Sequence, residues 1–187
     1  MKPSIDAGKL RDVLQVLELK ESPEGTWTWQ KVRKARGQVE LSTGRNLFST
    51  VGIGARGAEI ILRRQNITLH NALLWGEQHL FLSAILPEGR LHLRVQAALV
   101  EPVECQEGMD EGGGIRFPGI LTEKYLKWEQ PEPYSMNRLA YVLVTPKAIQ
   151  LHRGGLVGVS GINYEVQLAH TLDPYKNEYE IVRTEDL

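Results

Sequence analysis

Thr26-Trp27-Thr28-Trp29-Gln30-Lys31-Val32-Arg33-Lys34-Ala35-Arg36-Gly37-Gln38-Val39-Glu40-Leu41 runs into Ser42-Thr43-Gly44-Arg45-Asn46-Leu47-Phe48-Ser49-Thr50-Val51-Gly52-Ile53-Gly54-Ala55-Arg56-Gly57. Threonine, tryptophan and valine in the first piece suit a long, twisted β-strand. Gly37 within it predicts a bulge or a bend. Alternation sets Lys31 and Arg33 on one face and Lys34 and Arg36 on the other. Such basic positions suit a solvated strand, or a contact with an acidic neighbour or with DNA. The second piece holds four glycines in sixteen residues, which implies a long excursion between strands. Its Leu47, Phe48, Val51 and Ile53 are too apolar to face water alone and call for a partner surface.

Outward from this pair, strands are expected near Ala58–Arg64, Ala72–Trp75, Gln78–Ile85 and Arg90–Val100, with a tight turn at Pro87-Glu88-Gly89. Upstream, Leu10–Leu19 fits a helical face through Leu10, Val13, Leu14 and Leu17, and fits a buried strand equally well. Short strands with turn punctuation point to a small barrel or sandwich. The fold class is therefore mainly β. A first β-barrel is expected over residues 1–103, an acidic, glycine-rich linker over 104–114, and a second β-rich module over 115–187. Ile149-Gln150-Leu151-His152 echoes Ile67-Thr68-Leu69-His70, and alternating strands follow both. The second module therefore reads either as a partial repeat of the first or as an unrelated β-rich unit.

The chain has 187 residues, 42% of them apolar and 24% charged, which suffices for a packed core. A net charge of −1 argues against a dedicated nucleic-acid binder. The one cysteine, Cys105, excludes an intrachain disulfide and a multi-cysteine metal site, and reads as a small buried apolar residue. Met1-Lys2-Pro3-Ser4-Ile5-Asp6 is not followed by a continuous apolar run, and no stretch is apolar enough to span a membrane, so synthesis in the cytoplasm is expected.

His70, His79, His92, His152 and His170 show no paired metal-ligand spacing. Gly52-x-Gly54-x-x-Gly57 matches a glycine fingerprint on its face but leads into a β-segment, so no helix terminus awaits a pyrophosphate. Glu178 and Glu180 share a strand face and read as solvated. Trp27 and Trp29 share a face as core or interface anchors. No catalytic, cofactor or metal residue is expected, and the chain reads as a non-enzyme.

Gly8-Lys9-Leu10-Arg11, the Gly25 turn before Trp29, Gly44-Arg45 opening the long loop, Ile61-Leu62-Arg63 followed by Ile67-Thr68, and the Trp75-Gly76 turn come in an order that resembles the head-completion (stopper) proteins of long-tailed phages over about residues 7–103. That resemblance favours a strand over Leu10–Leu19. It implies a β-barrel subunit that assembles with copies of itself into a ring, commonly twelvefold, in the virion neck after synthesis in the bacterial host. The portal and adaptor would lie above it, the tail or tail terminator below, and genomic DNA in the channel. The resemblance places the long loop, Ser42–Gly57, in that channel. Leu47, Phe48, Val51 and Ile53 would pack across the ring as the gating loop, with Arg45 and Arg56 facing phosphates. The residues beyond 103 exceed the family's usual single barrel. A tail terminator, another neck protein and a cellular β-barrel binding module are the alternative readings.

Overall fold

In a computed structural model of the chain, residues 7–42, 56–108, 114–124 and 140–186 are described. They form twelve strands. The first six are β1 (Asp12–Glu21), β2 (Trp27–Ser42), β3 (Arg56–Arg63), β4 (Asn71–Trp75), β5 (Gln78–Glu88) and β6 (His92–Val100). The second six are β7 (Val103–Glu107), β8 (Arg116–Lys124), β9 (Ala140–Pro146), β10 (Leu156–Val159), β11 (Ile162–His170) and β12 (Lys176–Arg183). Each set closes into an antiparallel barrel, in the orders β1-β2-β3-β6-β5-β4 and β7-β8-β9-β12-β11-β10. The mainly β expectation is met, and the ambiguous Leu10–Leu19 segment is strand.

The two orders are the same permutation. In each barrel two three-stranded meanders join through their outer strands, β3 to β6 and β1 to β4 in the first, β9 to β12 and β7 to β10 in the second. Register carries the correspondence to single residues. The β5–β6 ladder shifts between Leu82 and Ala84, opposite Ala97 and Gln96. The β11–β12 ladder shifts between Val166 and Leu168, opposite Ile181 and Glu180. Ser83 and Gln167 are thus the same bulge in the same place.

Alternation fills each interior. Leu14, Val16, Ile60, Leu62, Leu73, Leu80, Leu82 and Val95 form the first core. Phe117, Leu143, Val157, Tyr164, Val166, Tyr179 and Ile181 are buried in the second. A six-stranded barrel of this kind is packed solid by its own side chains and is no pore.

Three local expectations change. Gly37 is no bulge against β3: the ladder runs unbroken from Gly37↔Leu62 to Ser42↔Gly57. The glycine instead allows a close approach, since a Cβ there would lie 2.7 Å from Leu62 Cδ2 and 2.9 Å from the Ile61 carbonyl. Pro87 and Glu88 still belong to β5, paired with Leu93 and His92, and the chain reverses after them through Gly89, with φ of 65°. Pro87 lies beyond the β4–β5 ladder, which ends at Ala72↔Phe81, so no ladder is broken on that side. Finally, residues 104–107 of the expected linker belong to β7 (Val103–Glu107), which pairs with both β8 and β10 and opens the second barrel. Acidic composition marked a break there because Glu104 faces solvent, but the buried Cys105 next to it serves the core.

Candidate functional site: the open end of the β2–β3 hairpin

β2 and β3 pair without interruption up to Ser42↔Gly57, so both ends of segment 43–55 are held side by side in one ladder. β3 is clamped on its other edge as well, from Arg56↔Leu99 to Arg63↔His92 on β6. The base is further tied by Asp12, whose Oδ2 accepts from the Val39 amide at 2.8 Å. On the outer face Arg94 donates from Nε to Glu88 Oε2 at 2.9 Å and also bonds Glu59. The bond to Glu88 leads the causes that raise the Arg94 pKa. A rigid, doubly paired hairpin therefore presents whatever 43–55 carries.

Of the expected site residues, Arg45, Leu47, Phe48, Val51 and Ile53 lie outside the described residues. Arg56 is described: it is the first residue of β3, exposed, at the root of the excursion rather than out on it. Gly57 is already buried in strand, which fits the reading that the glycine fingerprint leads into β-structure.

The basic residues of β2 divide as alternation requires, with a difference in outcome. Ala35 and Gly37 are buried, so Arg33 shares their face and is drawn in to bond Gln65 and the Asn66 carbonyl. Lys34 and Arg36 point to solvent. The Trp29 ring meets His79 in a tilted contact, centroids 5.4 Å apart and planes at 58°. Nothing in the spacing of the histidines singles out His79. It is only 7% exposed, and its Nε2 has no hydrogen-bond partner among the described residues. Desolvation lowers its pKa to about 4.

In the second barrel, Glu178 is not solvated as expected. It is buried against Lys176, whose Nζ donates at 2.6 Å. Glu180 does share its face, and its Oε1 lies 3.1 Å from His170 Nε2. These two pairs flank an open groove of about 560 Å³ lined by His170, Thr171, Leu172, Asp173, Lys176 and Glu178. Cys105 is fully buried, and burial pushes its thiol up to about 12, so it stays protonated and unreactive at neutral pH. Among the described residues no group of three metal-binding side chains occurs, and no helix is long and apolar enough to cross a membrane. The chain was compared with protein-family models, curated proteins and solved structures, and none matches.

Proposed function

We propose that this chain is a structural subunit of a phage neck. In this reading copies assemble as a ring below the portal and adaptor, restrain the packaged DNA and offer a docking surface to the tail. The observation that carries the reading is the Ser42↔Gly57 ladder end, which commits segment 43–55 to leave and re-enter the barrel at one point. A ring-borne gate needs a stiff base, and the paired strands supply one. The filled barrels support the same reading, because a passage for DNA then has to run between copies and not through one. Leu47, Phe48, Val51 and Ile53 supply apolar contact between fingers, and Arg45 with Arg56 at the root supplies weak phosphate contacts that add up around a ring.

The test replaces 43–55 with a short Gly-Ser link in particles assembled with the altered subunit. Folded subunits, normal incorporation below the portal and loss of packaged DNA are expected. Full retention of DNA by such particles refutes the gate.

A further inference from the structure

Formal charge is divided unevenly along the chain. Residues 1–101 hold 14 Lys and Arg against 10 Asp and Glu, whereas residues 102–187 hold 8 against 13. The first 101 residues are thus basic and the rest acidic, which the overall charge of −1 conceals.

On the first barrel the basic groups converge at the end away from Ser42 and Gly57. Arg63 faces His92 across the β3–β6 ladder. The Arg64 amide donates to the Leu91 carbonyl at 2.8 Å, which brings Arg64 beside the turn that carries Arg90. Arg33 is bonded to Gln65 and Asn66, next along the chain. Gly37↔Leu62 sets Arg36 at the level of Arg63. Arg36, Arg63, Arg64 and Arg90 are exposed, and none is ion-paired to another described residue. The nearby carboxylates of Glu59 and Glu88 are already engaged by Arg94. Leu91, 72% exposed, lies within this basic rim.

The second barrel carries the complement. Glu165 sits on β11 opposite the exposed Leu156 and shares its outward face, whereas Glu107 on β7 is paired with the buried Val157 and lies 4.0 Å from His152. Glu104 lies further along β7, exposed, its carbonyl bonded by the Ser160 amide. Leu156, 44% exposed, stands beside Glu165 on the outward face that Glu104 also shares. One patch thus sets an exposed leucine among arginines, and the other sets an exposed leucine beside Glu165 with Glu104 on the same outward face.

We infer that the basic end of the first barrel docks onto the β7–β10–β11 face of the second barrel in another copy of this chain. Because two different patches meet, the contact is heterologous: it repeats from copy to copy and closes into a ring or continues as a filament. Leucine contact supplies the apolar centre, and the Arg–Glu rim supplies orientation and a salt-dependent encounter rate. The inference rests on the ring reading in that it names the joint of such a ring, but it is tested on the free protein.

Sedimentation velocity at low and high salt reads it out. The wild-type chain is expected to self-associate, more weakly as salt rises. Arg63→Glu/Arg64→Glu and Glu104→Lys/Glu165→Lys are each expected to weaken self-association by about tenfold or more. Circular dichroism checks that both variants fold. Mixed together, the two variants should associate again, since every joint in the mixture pairs opposite charges. Failure of the mixture to associate overturns the proposal. So does wild-type protein that stays monomeric while the Arg63→Glu/Arg64→Glu change lowers retention on duplex DNA, for the patch then serves nucleic acid. Particles that keep DNA without 43–55 would refute the gate and leave this joint standing.

Discussion

Gly37 and Gly119 hold the same place in the two barrels. Each lies in the second strand, and a Cβ there would come within 2.7 Å of a leucine methyl, Leu62 Cδ2 or Leu143 Cδ1. Each also faces the third residue of its barrel's first strand: Leu14 Cδ1 would lie 3.1 Å from the added carbon and Cys105 Sγ 2.8 Å. Neither glycine has positive φ, so space and not backbone freedom selects them.

Gly37→Ala and Gly119→Ala should therefore each destabilise by about 1–3 kcal/mol, as overpacked cores do. Hydrogen exchange should show faster opening in the barrel that carries the change. Unaltered exchange in Gly37→Ala would mean that Leu62 and Leu14 yield without cost.

His79 predicts an acid limb of stability. The unfolded chain takes up a proton near 6.5, the folded one only near 4, so between these values the unfolded state binds more protons. Stability should be flat above pH 6.5 and fall as the pH drops toward 4, by on the order of 3 kcal/mol in all. His79→Leu should remove most of that slope in denaturant titrations across this range. An unchanged slope would assign it to the carboxylates.

Tyr179 closes a buried polar knot. Its hydroxyl donates to the Ile149 carbonyl at 3.2 Å and accepts from the Leu151 amide at 3.0 Å. Asn177 Nδ2 also donates to the Ile149 carbonyl, at 2.7 Å. Counting back from the shared bulge, Val95 holds the corresponding place in the first barrel. Tyr179→Phe should leave the Leu151 amide unsatisfied in a buried site and cost about 1–3 kcal/mol. A melting temperature equal to wild type would show that the loop re-forms these bonds elsewhere.

Replacing 43–55 by a short link should leave the first barrel folded. The six pairs from Gly37↔Leu62 to Ser42↔Gly57 remain, and a changed loop length alters closure entropy by only about 1 kcal/mol or less. A large drop in thermal stability would place residues of that segment in the core and remove them as a projecting finger.

Cys105 should resist thiol reagents in the native protein and react once the second barrel unfolds, because its thiol is fully buried and protonated. Rapid labelling under native conditions would show that β7 detaches readily.

The strands themselves were legible because alternation is local: Thr26 to Leu41 reads as one long strand from its own residues, and Gln78–Ile85 and Arg90–Val100 likewise. The boundary of the second barrel was not, since the acidic residues around Cys105 look like a linker until β8 and β10 close on either side of them. The expected gating and DNA-facing residues came from the resemblance to head-completion proteins, and of that set Arg56 alone falls among the described residues, at the hairpin root. The sequence by itself determined the period-two pattern, the turns at Gly25 and Gly76, the break between two β-rich halves and a weak echo between them. Only the tertiary structure decided that both halves close in one strand order with one shared bulge, and that Arg63, Arg64 and Arg90 meet at one end. Ladder register and barrel closure are contacts between residues far apart in the chain, and such contacts leave no periodic mark along it.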